Sequence, residues 1–313
     1  MKGLALARGY YEDIVRPMLE TEFAAALPSI AAGLVGEGSE CFGYDDLYSQ
    51  DHDFGPDCCL WLTDEVAARY GEALRQAYAA LPSTYKGFNR EHTSRQAAGR
   101  RGVMSVEQFY RNALNGIAQP SSLMDWFKIP QEALAVATNG EVWEDAAGQF
   151  SARRNLLREG YPEEVRRKKL ATRLAKMAQS GQYNYPRALR RGDSGSAYLA
   201  AAEFINHALG ALFLLNERYM PFYKWRFRAA VDLPLLQPVV KAVLAMTAGK
   251  DMGPEGEAKR LLIEEVCRDI GRAAALRYQV QMADDFLIPL AESLADGVTD
   301  ASLRQLPLMF DLA

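Results

Sequence analysis

Residues 36 to 57 read GEGSECFGYDDLYSQDHDFGPD, with Gly38-Ser39 toward one end and Asp51-His52-Asp53 toward the other. Two carboxylates one residue apart share a face of any strand that carries them, and His52 falls on the opposite face. Paired oxygen donors of this kind suit one or two Mg²⁺ ions. The glycine-serine turn has its own chemistry, because backbone amides and a hydroxyl leaving a strand can grip phosphate oxygens. Solvated loop charge is the plainer explanation for so many acids, and spacing favours the cation site.

The elements that must position these groups follow from the flanking patterns. AAGLVGE (31–37) and CCLWL (58–62) are short apolar runs bracketing the acidic segment, and both read as strands. A helix carrying Pro17 precedes the first run. An amphipathic helix follows the second, from Thr63 to about Leu81, with Val66, Tyr70, Leu74, Tyr78 and Leu81 on one face. STYKGFNREHTSRQAAGRRG has no usable period and reads as a polar surface loop. In ALAVATNGEVWED, Asn139-Gly140 between two β-prone runs predicts a two-residue hairpin. Beyond Gly148 the pattern is helical, with segments from Pro162 to Gly181 and over 196–215, 233–247, 256–278 and 280–294. The expected fold is α+β, with a mixed-sheet domain over 1–158 and an all-helical domain over 159–313.

The order strand, Gly38-Ser39, Gly43, then Asp51 and Asp53 entering a second strand resembles the nucleotidyltransferase fold of the polymerase-β superfamily. The resemblance implies that Gly38 and Ser39 hold the β and γ phosphates of a nucleoside triphosphate and that Asp51 and Asp53 bind Mg²⁺. It also implies a third carboxylate from a later strand. Glu141 and Asp145 share a face by alternation while Glu144 points away, so either could serve as metal ligand or base, and Asp145 is favoured as the strand-end residue. Two departures from the pattern stand out. The Ser39 to Asp51 gap is a residue or two longer than common, and Gly55-Pro56 replaces the usual apolar residues, so that strand must bulge or lie at an edge. The stretches SGQYNYPRALRRGD, LLNERYMPFYKWRFRA and GEVWEDAAGQFSARR look like an uncharacterised bacterial family that joins such a core to a helical C-terminal domain.

In the helical half, Tyr183 with Arg187, Arg190 and Arg191 could stack on a base and pair with phosphates, or simply anchor a loop. Lys224, after Pro221, could reach a triphosphate as a basic residue does in related antibiotic-modifying nucleotidyltransferases, or could be plain surface. The basic run LREGYPEEVRRKKLATR (157–173) reads as a solvated helix face rather than an RNA site, and His207 as a core residue. His92 has no identifiable partner. A net charge of -4 argues against a dedicated nucleic-acid binder. Cys41, Cys58, Cys59 and Cys267 form neither a disulfide framework nor a zinc pattern, and no export or membrane segment is read, so a reducing cytoplasm is expected. The expected activity is Mg²⁺-dependent transfer of AMP from ATP to a hydroxyl or similar acceptor on a small molecule or protein, ahead of RNA, held between the domains. The rivals are a catalytically silent nucleotide sensor and a phosphohydrolase built on the Asp-His-Asp segment.

Overall fold

The computed structural model describes residues 1–50, 54–90 and 99–311. The chain divides into two compact units: Met1–Pro120 with Ala133–Glu159, and Ser121–Glu132 with Gly160–Ala313. These differ from a single cut after residue 158 by Glu159, which counts with the first unit, and by the segment Ser121–Glu132, which counts with the second. The class is α+β. In chain order the first 159 residues give α1 (Gly3–Tyr10), a π-helical turn (Tyr11–Val15), α2 (Arg16–Glu22), β1 (Ile30–Leu34), β2 (Cys59–Leu62) and α3 (Asp64–Ala80). There follow β3 (Thr84–Tyr85), β4 (Phe88–Asn89), β5 (Gly102–Ser105), α4 (Val106–Ala113), α5 (Leu123–Lys128), α6 (Gln131–Thr138), β6 (Glu141–Glu144) and α7 (Gln149–Arg158).

The main sheet of the first unit has the order β5-β2-β1-β6. β1 runs antiparallel to both β2 and β6, and β5 is parallel to β2 across the α3 crossover. Alternation sorts the side chains of β2. Leu60 and Leu62 join Tyr10, Tyr11 and Leu19 of the N-terminal helical stretch and Leu74 of α3 in one core, while Trp61 stacks on Phe150 of α7 at 3.8 Å and meets Phe109 of α4 edge-on. Both faces of the sheet are therefore covered, which is why β2 reads as an unbroken apolar run.

Three local expectations are corrected. Asn139-Gly140 does not close a hairpin: Gln131–Thr138, following Pro130 and rich in alanine and leucine, is helical, so the pair links α6 to β6. The hairpin lies instead within the stretch read as a loop, where Lys86 (φ 48°) and Gly87 (φ 82°) turn β3 back onto β4. Finally, β2 begins only at Cys59, so Pro56 sits in a buried lead-in and interrupts no ladder. Asp51, His52 and Asp53, like His92, lie outside the described residues.

Among the described residues of the second unit every element is helical. After α5 come α8 (Glu163–Met177), α9 (Tyr185–Arg191), α10 (Ser194–Leu215), α11 (Arg226–Val231), α12 (Gln237–Ala245), α13 (Gly253–Tyr278), α14 (Leu287–Asp296) and α15 (Ala301–Arg304). Gly181 does not stop a helix; α8 runs through a π-helical stretch, Ala178–Asn184, into α9. A Cβ at Gly181 would lie 2.3 Å from Phe204 Cδ2, so the glycine permits the close approach of α10. The basic run is not solvated either. Lys168 donates to Leu306 O at 2.7 Å, Thr172 to Leu308 O at 2.8 Å, and Arg173 pairs with Asp311 at 3.0 Å. Lys169, also near Asp311 at 3.8 Å, lies over the Phe127 ring. The Leu306–Asp311 segment thus straps α8. Among the described residues, Ser194–Leu215 alone is long and apolar enough to cross a membrane by length and composition, and 67% of its most apolar window is buried.

Candidate functional site

The pairing registers decide which strand ends meet. Gly33 of β1 faces Cys59, Cys59 faces Gly102, and Leu34 faces Glu141. The exit of β1 and the entries of β2, β5 and β6 therefore share one end of the sheet. The chain leaves β1 there through Val35 and Gly36 into Gly38, which caps a 3₁₀ turn, Ser39–Phe42, closed by Gly43 in the left-handed region. Among the described residues the Gly38 and Ser39 amides and Ser39 Oγ donate no hydrogen bond.

The turn is held from two sides. The Asn139 side chain accepts from Gly36 N at 3.1 Å and donates to Gly36 O at 2.7 Å, satisfying that peptide as a neighbouring strand would. Arg154 in turn donates to the carbonyls of Asn139 (2.7 Å) and Gly140 (2.9 Å). Beneath the turn, buried Glu40 pairs with Arg101. A Cβ on Gly38 would fall 2.0 Å from Glu40 Oε1, so a larger residue there would displace this carboxylate. Burial works against the charge of Arg101, but Glu40 and Asp57 more than offset it and raise its pKa. Sequence patterning shows none of Asn139, Arg154, Glu40 or Arg101, because each acts through a contact 14 to 103 residues away. At the entries of β2 and β5 there is also a cavity of about 740 Å³, bordered by Asp57, Tyr78, Arg75, Arg90 and Arg101.

The two candidate third carboxylates fall at opposite ends of β6. Glu141 begins the strand beside Leu34, is exposed, and accepts from Trp143 Nε1 at 3.0 Å. Asp145 follows the strand's last residue, Glu144, which pairs with Ala32. At about 3.3 Å per residue it lies roughly 13 Å further along, away from the Gly38-Ser39 turn. Its Oδ2 accepts from Ser151 N at 2.7 Å and so caps α7. Alternation groups 141 with 145, but a bulge in the β1–β6 register sets Glu141 against Leu34 and Glu144 against Ala32, so Glu141 shares a face with Glu144 instead, and alternation is also silent on which end of the sheet each occupies. Glu144 is bound to the Tyr11 hydroxyl and to Arg16. The remaining acids have structural partners: Asp45 accepts from Gly3 N and pairs with Lys2, Asp46 accepts from Tyr48 N and Ser49 N, and buried Asp57 accepts from Cys58 N and the Tyr78 hydroxyl. Among the described residues no group of three His, Cys, Asp or Glu side chains could hold a metal ion. All four cysteines are free and buried, and burial pushes the Cys59 thiol up to about 12.

In the second unit, Arg187 lies 4.7 Å over the Tyr183 ring and donates to its hydroxyl, so the ring is covered by its own neighbour. Arg190 and Lys224 are exposed, with the Lys224 ammonium 5.6 Å from the Trp225 ring. His207 is buried beside Arg173, whose Nη1 lies 3.1 Å from Nδ1, and Glu203 sits 3.2 Å from Nε2. Arginine can only donate, so Nδ1 is the acceptor and the ring proton sits on Nε2, facing Glu203.

A family model described as a domain of unknown function (DUF4037) matches residues 126–226. No curated protein matches. Among solved structures, the chain is similar to a nucleotidyltransferase-like protein from Exiguobacterium sibiricum 255-15, with 13% identity over 90% of each chain and a TM-score of 0.41.

Proposed function

We propose that the first unit is a Mg²⁺-dependent nucleotidyltransferase centre that transfers AMP from ATP to a hydroxyl of a small molecule or protein. The observation that carries this reading is the convergence at one sheet end of the Gly38-Ser39 turn, Glu141 and the entry of β2. In the sequence, Asp51 and Asp53 stand between that turn and that strand. The donor set suits the metal, since Mg²⁺ takes carboxylate and hydroxyl oxygens, and Glu141 has lone pairs beyond the one engaged by Trp143. Bound Mg²⁺ would neutralise the triphosphate and stabilise the in-line transition state.

The unengaged amides and hydroxyl of Gly38 and Ser39 orient the β and γ phosphates. Arg75 and Arg90 lend positive charge to the cavity beside β2. The acceptor oxygen bonds to the α phosphorus as the bond to pyrophosphate breaks, and the hydroxyl proton passes to Glu141. Tyr183, Arg187, Arg190 and Lys224, in the second unit, have no role in this scheme. The test is pyrophosphate release from Mg²⁺-ATP over a panel of hydroxyl acceptors. The Asp51→Asn/Asp53→Asn variant should lose both transfer and Mg²⁺-ATP binding. Unchanged binding and transfer would refute the assignment, and binding without turnover by the unaltered protein would make the unit a nucleotide sensor.

A further inference from the structure

A cavity of about 480 Å³ lies wholly within the second unit, a size typical of small-molecule sites. Its wall is built by the π-helical stretch Ala178–Asn184, which carries Gln179 and Asn184 to the lining. Such wide turns recur at functional sites. Three cationic side chains border it, Lys176, Arg187 and Arg191, and among the described residues none of them forms a salt bridge.

The two acids of the lining do not neutralise these cations in close pairs. Asp193 caps α10, accepting from Ser196 N at 3.0 Å and from Ser196 Oγ at 2.6 Å. Glu203 faces His207, 3.2 Å from Nε2. Three single positive charges match a phosphate dianion better than a monoanionic carboxylate. The rest of the lining offers amides and a carboxylate for hydroxyl groups and no phenylalanine, tyrosine or tryptophan ring on which a base would stack, and its one imidazole, His207, is buried between Arg173 and Glu203.

We infer that this cavity binds a phosphorylated sugar or polyol, its phosphate held by Lys176, Arg187 and Arg191 and its hydroxyls by Gln179, Asn184 and Glu203. This gives Arg187 a ligand other than a nucleoside triphosphate.

The inference is tested by calorimetric titration of the full chain with glucose 6-phosphate, glucose, inorganic phosphate and AMP at 50 and 200 mM salt. The Asp51→Asn/Asp53→Asn background separates this cavity from the proposed transfer centre, so either assignment can fail alone. Glucose 6-phosphate should bind more tightly than inorganic phosphate, weaken with salt, and lose at least tenfold in affinity in each of Lys176→Gln, Arg187→Gln and Arg191→Gln; glucose should not bind. Thermal melts identify variants that fold, and exposed Arg191 provides one that leaves the packing alone. No binding of glucose 6-phosphate overturns the inference, as does affinity indifferent to all folded variants or equal to that of inorganic phosphate. Tighter AMP binding lost in the same variants also overturns it, and would restore nucleotide chemistry to Arg187.

Discussion

Glu141 and Asp145 are chemically similar and stand at either end of β6, yet they should answer differently to the same substitution. Glu141→Gln removes the proposed proton acceptor at the Gly38-Ser39 end and should lower the transfer kcat roughly 10²–10⁴-fold, with Mg²⁺-ATP binding less affected. Asp145→Asn weakens the cap on Ser151 N and should cost about 1 kcal/mol of stability while kcat holds. Steady-state kinetics and urea melts on both variants would settle the assignment, and a kcat loss confined to Asp145→Asn would reverse it. Pattern and spacing brought Gly38, Ser39, Asp51 and Asp53 to notice because phosphate and metal chemistry demand local residue types. They missed the roles of Asn139 and Arg101, which exist only once β1, β2, β5 and β6 share one sheet.

At the level of elements, the connection from α6 to β6 depends on Gly140. Its φ of 61° lies in the left-handed region, and a Cβ there would stand 2.0 Å from Leu34 O. Gly140→Ala should therefore destabilise the first unit by about 2 kcal/mol or more, read as a lower urea midpoint with an unchanged slope. A midpoint within error of the parent would show that β6 can shift without loss. Elements with strong periodicity were legible: α3 starts after Thr63 as its cap predicts, with Thr63 Oγ1 accepting from Val66 N. Short elements were not. Two-residue strands around Lys86-Gly87 have no pattern long enough to register, and Asn139-Gly140 is a hairpin signal only when a strand precedes it. Gly181 looked like a stop because glycine disfavours helix, and its packing against Phe204 overrides that preference.

For the molecule as a whole, the mixed sheet and helical half were legible from the change of period near Gly148. The membership of Ser121–Glu132 in the second unit was not, because it depends on contacts such as Tyr161 donating to Ile129 O at 2.7 Å. Global stability should also carry the signature of one buried imidazole. Burial, and then Arg173, push the His207 pKa down from 6.5 to about 3. Since the unfolded chain takes up this proton near 6.5, the contribution of His207 is complete above that pH and is lost as pH falls toward 3. Between pH 6.5 and 4 the parent should lose more stability than His207→Asn, by on the order of 2 kcal/mol. Parallel curves from chemical denaturation would exclude the effect.

The strap over α8 also bears on biosynthesis. Lys168 finds its carbonyl acceptor 138 residues further along the chain, and Asp311 lies further still. A ribosome releases the cations of α8 long before it makes the groups that receive them. Closure of the second unit must then await the synthesis of Leu306–Asp311, and a nascent chain arrested before Leu306 would keep those cations in water and leave α8 open to chaperones and proteases, because burying them without their acceptors is costly.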